Sequence, residues 1–179
     1  MRADARRNYE RIVSTAREVF TEHGPDAPLD EVAKRAEVGS GTLYRHFPDR
    51  LALIEAVYRD EVARLCARAE VIAEKSEPEQ MVDDWLRDQV DFIVNGHGLA
   101  ASLKAALDKE SPVFEHCRAM LSDAAASVLT PAQQIGAIRK DLMPRDLLKL
   151  GHAIGTAIQT APPDQADRIM SVMLRGLRD

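Results

Sequence analysis

The side chains best suited to hold another molecule lie close together, between residues 40 and 50. If Leu43 and Phe47 turn inward at helical spacing, the side chains left outside are those of Ser40, Thr42, Tyr44, Arg45 and His46. Hydroxyls, a phenol and a cation form hydrogen bonds with phosphate oxygens and with the edges of bases. Gly41 has no side chain, so the backbone can approach a duplex closely there. The segment is therefore a candidate nucleic-acid interface.

Other chemistry has little support in the sequence. The two cysteines, Cys66 and Cys117, are 51 positions apart in apolar helical contexts, without partners at metal-ligand spacing. His116 beside Cys117 is too little for a catalytic pair, and no convergent set of acid, base and nucleophile accompanies it. We therefore expect reduced core thiols, no metal, no cofactor and no enzyme. The rival classes are a small helical enzyme and a helical protein-binding adaptor.

The elements that must position these residues are helices. The chain has 26 alanines, 4% aromatic residues and no sustained polar/apolar alternation, which favours an all-α fold of about nine helices. The first four are predicted at about Ala5–His23 (capped by Asp4), Leu29–Ala36, Ser40–Phe47 and Arg50–Lys75 (capped by Asp49). The fifth follows Pro78 and ends at Gly96-His97-Gly98, and later starts are predicted at Leu99, Pro112, Pro144 and Asp164, with a restart or kink at Pro131. We expect two domains, residues 1–50 and 51–179.

The second and third helices are separated by three residues, Glu37-Val38-Gly39, and Ala33, Val38 and Leu43 would pack them together. This is the helix-turn-helix pattern, in which the second helix enters the DNA major groove. Because such short helix pairs occur in many all-α domains, the prediction of DNA binding depends on the exposed groups of the third helix.

The segment around the third helix matches a known family. Its aromatic, glycine and proline positions resemble, in order, those of the TetR-family (TetR/AcrR-like) transcriptional regulators, over roughly residues 6–58. The matching runs are Leu29-Asp30-Glu31-Val32-Ala33-Lys34-Arg35-Ala36 and Val38-Gly39-Ser40-Gly41-Thr42-Leu43-Tyr44-Arg45-His46-Phe47-Pro48-Asp49-Arg50. The resemblance implies that Tyr44 and His46 hold phosphates, that residues 40–45 read bases and that Arg50 contacts phosphate. It also implies an N-terminal three-helix DNA-binding domain and a C-terminal helical bundle for ligand binding and dimerisation.

Two positions depart from the family pattern. Pro28 stands where a threonine often caps the second helix and touches phosphate, and proline does neither with its side chain. Glu37 stands where a turn glycine is common, so its carboxylate either faces solvent or disfavours a nearby phosphate. We expect a DNA footprint that differs from that of close relatives, and the alternative is a DNA-binding fold that no longer binds.

The formal net charge of −5 argues against a nucleic-acid partner when it is taken over the whole chain. Counted by segment, residues 1–50 are neutral and the entire surplus of acid follows residue 50. Positive charge gathers around the third helix and in an expected N-terminal arm with Arg2, Arg6 and Arg7. These arginines either contact DNA or only solvate a frayed terminus.

Helices five to seven carry apolar residues that could line a cavity for a small molecule, although a plain core explains any single one of them. They are Met81, Trp85, Phe92, Leu103, Phe114, Cys117, Met120 and Leu121. The resemblance implies an inducer pocket here, and such a lining favours an apolar or amphipathic effector.

The last two helices carry apolar stripes that could belong to a core or to an interface. The residues are Leu147, Leu150, Ile154, Ile158, Ile169, Met170 and Met173, and Gly151 and Gly155 permit close helix approach. In the TetR family the corresponding helices form a homodimer. The dimer places two N-terminal DNA-binding domains, here called heads (residues 1–50 in this chain), about one DNA turn (~34 Å) apart on a palindromic operator of double-stranded DNA. We expect a cytoplasmic homodimeric repressor that responds to a ligand and has no membrane span.

Overall fold

The computed structural model describes residues 2–95, 99–108 and 110–178. In these ranges the chain forms nine α-helices and no strand, as the composition predicts. The helices are α1 (Arg2–His23), α2 (Leu29–Arg35), α3 (Ser40–His46), α4 (Arg50–Lys75), α5 (Pro78–Asn95), α6 (Leu99–Ala106), α7 (Pro112–Gln134), α8 (Pro144–Ile158) and α9 (Pro163–Gly176).

Capping and helix-terminating residues in the sequence predict most of the helix ends correctly. Gly24 ends α1 with a φ of 79°, a left-handed backbone that glycine adopts without strain. Asp49 caps α4, because its Oδ1 accepts a hydrogen bond from the Ala52 amide at 2.8 Å. Ser111 Oγ accepts in the same way from the Val113 amide at 3.3 Å, at the start of α7. Pro28 stands at the N-cap position of α2 and its side chain forms no capping hydrogen bond, as its residue type predicts.

Two predicted boundaries were wrong or incomplete. α1 begins at Arg2, so Asp4 is not its cap but a member of the first turn, where it pairs with Arg7. The expected N-terminal arm is therefore helical from residue 2 onward. α7 runs through Pro131 without a restart. The residues predicted to end α5, Gly96, His97 and Gly98, lie outside the described residues.

The chain divides into two compact units, and the division between them falls inside α4. The predicted division into functional domains at residue 50 stays a prediction. The first unit comprises Met1–Glu61 and His97–Phe114, and the second comprises Val62–Gly96 and Glu115–Asp179. The core of the first unit is built from the apolar stripe of α1, including Ile12 and Phe20, and from Leu43, Leu53 and Ile54. In the second unit the largest side chains that are fully buried are Trp85, Leu86, Leu129, Ile138 and Leu147.

α5 and α8 pack against each other in the second unit, and two glycines of α8 make this possible. A Cβ atom on Gly155 would lie 2.9 Å from Cδ1 of Ile93, and one on Gly151 would overlap the side chain of Gln89. The glycine pair thus serves packing between two helices of the same chain.

Candidate nucleic-acid interface

α3 is anchored in the first unit by its two apolar side chains. Leu43 and Phe47, which follow each other by one helical turn, are 1% and 2% exposed, as their spacing predicts. A backbone hydrogen bond in the turn orients α2 relative to α3: the amide of Val38 donates to the carbonyl oxygen of Ala33 at 3.0 Å. Burial of this one face turns the polar face of α3 to solvent.

The turn between α2 and α3 contains a strained residue. Glu37 has a φ of 53°, the left-handed region that favours glycine, and it is the one such non-glycine residue in the described ranges. Glu37 thus adopts a backbone conformation that a glycine would adopt without strain. The carboxylate itself is exposed.

The predicted DNA-contacting residues lie on the polar face of α3. Ser40, Gly41, Tyr44 and Arg45 are exposed, with Tyr44 48% accessible, and Thr42 and His46 are half-buried. Ser40 Oγ lies 3.5 Å from Oδ1 of Asp30 on α2. The structure thus brings hydroxyls, a phenol, an imidazole and a guanidinium onto one short helix.

Arg45 lies folded back along its own helix. Its Nε donates to the carbonyl oxygen of Gly41 at 3.2 Å, and its Nη2 donates to Oγ1 of Thr42 at 3.3 Å. Neither acceptor is a carboxylate, so these two contacts do not neutralise the charge of the guanidinium.

An aromatic cluster that the sequence analysis missed supports the end of α3. The ring centroid of Tyr9, on α1, lies 5.1 Å from that of Phe47 and 6.2 Å from that of His46. These contacts hold the His46 ring against the head. The signal available in the sequence was weak: Tyr9 stands three positions before Ile12, at the exposed edge of the apolar stripe of α1.

Arg50 points toward the loop between α1 and α2. Its Nη1 donates to the carbonyl oxygens of Pro25 at 2.9 Å and Ala27 at 2.5 Å. The side chain is half-buried and holds the loop that enters α2. The expected phosphate contact of Arg50 stays a prediction that would have to use its remaining donors.

Several other cations of the head are already paired with carboxylates. Arg6 pairs with Glu10 at 2.8 Å, Arg7 pairs with Asp4, and Arg35 pairs with Glu22 at 2.7 Å. The hydrogen bond to Glu10 raises the pKa of Arg6 above its ordinary value. Contact of Arg6 and Arg7 with DNA stays a prediction. Such a contact would replace their exposed ion pairs with Glu10 and Asp4, which contribute little free energy, by contacts with phosphate.

The predicted pocket residues divide between the two units. Leu103 and Phe114 are buried in the first unit, where the ring of Phe114 meets that of Tyr58 edge to face at 5.4 Å. The remaining members lie in the second unit: Met81, Trp85 and Cys117 are buried, and Phe92, Met120 and Leu121 are half-buried. Nε1 of Trp85 is buried and has no hydrogen-bond partner among the residues that the structure describes. The pocket stays a prediction.

The two cysteines are buried thiols of α4 and α7. Burial, and secondarily the neighbouring Cys117, raises the pKa of Cys66 to about 11. The described residues contain no cluster of three or more histidine, cysteine or acidic side chains able to hold a metal ion.

An open apolar groove of about 670 Å³ runs between α8 and α9. Four of the predicted dimer residues line it, namely Leu150, Ile154, Ile169 and Met173, and the exposed Val172 lines it as well. The other three, Leu147, Ile158 and Met170, are buried within the chain itself. Arg139, Asp141 and Arg168 also line the groove.

No helix in the described part of the chain is long and apolar enough to cross a membrane.

Family models match most of the chain. Residues 12–57 match the N-terminal model described as bacterial regulatory proteins, tetR family, and residues 77–179 match the model of the C-terminal domain of SbtR-like transcriptional regulators. The two matched segments contain α2 and α3 and the groove between α8 and α9, respectively.

Individual relatives match to different extents. TtgW of Pseudomonas putida, an uncharacterised helix-turn-helix regulator, is 43% identical over 56 residues, 31% of this chain and 42% of that protein. The chain thus matches less than half the length of this curated relative. The solved structure of the TetR regulator SCO0520 from Streptomyces coelicolor is 35% identical, with a TM-score of 0.73, over 95% of this chain and 98% of that one. A TetR regulator from Mycobacterium vanbaalenii is 30% identical, with a TM-score of 0.78, over 99% of both chains.

Proposed function

Because the chain belongs to the TetR family of DNA-binding transcriptional regulators, we propose that it is a homodimeric repressor that binds a palindromic operator and releases it when a ligand binds. The observation that carries the proposal is the polarity of α3. Its apolar side chains are buried while Tyr44, Arg45 and Ser40 are exposed. A recognition helix needs this division, because one face must hold the helix to its domain while the other meets phosphates and base edges.

The α8–α9 groove supports the homodimer. Exposed apolar surface of this kind is typical of a protein–protein interface, and one recognition helix alone makes too few base contacts for a specific site. Two copies joined through this groove would present two heads related by a twofold axis, which matches a palindrome.

The regulatory step that we propose couples an effector in the helical bundle to the heads. Binding to one of two conformations shifts α4, changes the separation of the heads and lowers the affinity for the operator. Nε1 of Trp85 finds no partner within the described ranges, and this favours an amphipathic effector with a hydrogen-bond acceptor, because a buried donor without a partner costs free energy. Trp85 is the chain's one tryptophan, so its fluorescence reports directly on this region. We place the protein in the cytoplasm, where its operator would be.

Selection of bound sequences from a random DNA pool tests the proposal. We expect an enriched palindrome with half-sites about one helical turn apart, roughly 34 Å. Failure to enrich any sequence at low salt would contradict DNA binding, and enrichment of a single half-site would contradict the homodimer. A change in Trp85 emission with amphipathic metabolites, together with release of the selected DNA, would support the ligand response.

A further inference from the structure

Arg45 is the guanidinium most available to a base on the exposed face of α3. In the head, Arg6, Arg7 and Arg35 are paired with carboxylates and Arg50 is turned toward the α1–α2 loop. Arg45 instead donates to a carbonyl and a hydroxyl of its own helix. Among the residues that the structure describes, no carboxylate forms an ion pair with it.

The two hydrogen bonds of Arg45 occupy one particular edge of the guanidinium. The group has five N–H donors in a planar fork. Nε and one hydrogen of Nη2 form the edge that bonds Gly41 and Thr42. The adjacent edge at the tip of the side chain, formed by Nη1 and the second hydrogen of Nη2, has two parallel donors that take no part in those two bonds.

The position of this second edge matters as much as its chemistry. The bonds to Gly41 and Thr42 hold the side chain back toward the N-terminal half of α3. In a helix-turn-helix, residues near the start of the recognition helix contact base edges in the major groove. Of the four bases, guanine presents two adjacent acceptors there, O6 and N7, and these match a pair of parallel donors.

We propose that Arg45 reads a guanine in each operator half-site through Nη1 and Nη2, and that Thr42 is a positioning residue that aims it. This inference rests on the proposed function, because it assigns the base that the DNA-binding head recognises. It assigns to Thr42 a role through Arg45 rather than a direct contact with DNA.

The test starts from the palindrome that the wild-type protein selects. We expect one symmetric G·C pair per half-site whose replacement weakens wild-type binding roughly tenfold to a hundredfold, the discrimination of one bidentate contact. Arg45→Ala should bind the G·C and A·T versions equally. Arg45→Gln should shift the preference toward adenine at that pair, because an amide matches the N6 and N7 pattern of adenine.

Chemical substitution in the DNA isolates the contact. Replacing the guanine by 7-deazaguanine removes the N7 acceptor and leaves the pairing with cytosine intact. The wild-type protein should lose affinity for this operator, and Arg45→Ala should be indifferent to it. Equal losses for both proteins would overturn the proposal.

Thr42 is tested with a matched pair of variants. Thr42→Ser keeps the hydroxyl and should keep the guanine preference, whereas Thr42→Val keeps the size and should reduce that preference roughly threefold to tenfold, as for one lost hydrogen bond. The readout is the ratio of affinities for G·C and A·T operators, which a general loss of stability would not change. Equal ratios for both variants would overturn the positioning role.

The outcomes separate this inference from the proposed function. If the wild-type protein enriches no sequence, DNA binding fails and this inference fails with it. If a palindrome is enriched but Arg45→Ala weakens all sequences equally and lowers the salt slope by about one, Arg45 is a phosphate contact. That result would overturn the guanine assignment and leave the repressor standing. Circular dichroism of each variant confirms folding, which the exposed position of Arg45 favours.

Discussion

The side-chain amide of Gln89 occupies the space that a Cβ atom on residue 151 would need, so the close packing of α5 on α8 depends on Gly151. The amide is 4% exposed and donates to the carbonyl oxygen of Leu148 at 3.1 Å. A buried polar side chain is thus held between two helices by one hydrogen bond and by the absence of a side chain opposite it.

Gly151→Ala should destabilise the protein. The added methyl group forces Gln89 away from its hydrogen bond or separates α5 from α8, which should lower the free energy of unfolding by roughly 1–3 kcal/mol. Urea unfolding followed by circular dichroism measures the change. The control is Gly41→Ala in α3, because a Cβ at residue 41 meets nothing within 4 Å and the residue lies outside the α8–α9 groove. Equal stability of the two variants would contradict this packing.

Glu37→Gly should stabilise the protein. Glycine adopts the φ of 53° at this turn without the steric cost that glutamate bears, which should raise the free energy of unfolding by about 1 kcal/mol. The matched control is Glu18→Gly, an exposed helical position in α1, where the same change should cost about 1 kcal/mol. A loss of stability at both positions would show that residue 37 carries no strain.

Tyr44→Phe should weaken operator binding without changing sequence preference. The ring is 48% exposed and the substitution removes only the hydroxyl that is expected to hold a phosphate. A lost hydrogen bond predicts a roughly threefold to tenfold weaker affinity for every sequence, measured by fluorescence anisotropy at fixed salt. A change that depends on one base pair would instead assign Tyr44 to base recognition.

Ile154→Glu should produce a monomer and abolish operator binding. The substitution places a charge in the apolar α8–α9 groove, where a second subunit would have to bury it. Light scattering at micromolar concentration reports the mass, and anisotropy reports DNA binding. Ile135→Glu is the control, because Ile135 is 51% exposed and lies outside the groove lining. A dimeric Ile154→Glu variant would place the interface elsewhere.

Cys66 should make the protein less stable at high pH. The thiol has a pKa of 9.0 in the unfolded chain and of about 11 in the folded protein. Between these two values ionisation stabilises the unfolded state more than the folded state, so the free energy of unfolding falls as the pH rises. The contribution is complete below pH 9 and decreases as the pH rises toward 11. Urea midpoints at pH 8 and pH 10 should therefore diverge between the wild-type protein and Cys66→Ala. If the difference between the two urea midpoints is the same at pH 8 and pH 10, Cys66 does not contribute to the pH dependence of stability.

Features that depend on neighbours along the chain could be predicted from the sequence. The turn of Gly24, the cap of Asp49 and the burial of Leu43 and Phe47 each follow from a few adjacent residues, and the structure confirms them. The start of α1 and the continuation of α7 through Pro131 were the exceptions. Asp4 has the residue type of a cap, yet it pairs with Arg7 one turn later and the helix continues to Arg2.

Features that depend on distant residues required the tertiary structure. The sequence by itself determined the helix-turn-helix and the polarity of α3, because helical periodicity and capping are local properties. Only the tertiary structure decided that Gly151 makes room for Gln89, that Arg50 bonds the α1–α2 loop and that Tyr9 meets His46. Each of these contacts joins residues brought together by packing of whole helices, and no spacing along the chain specifies which side chains will meet.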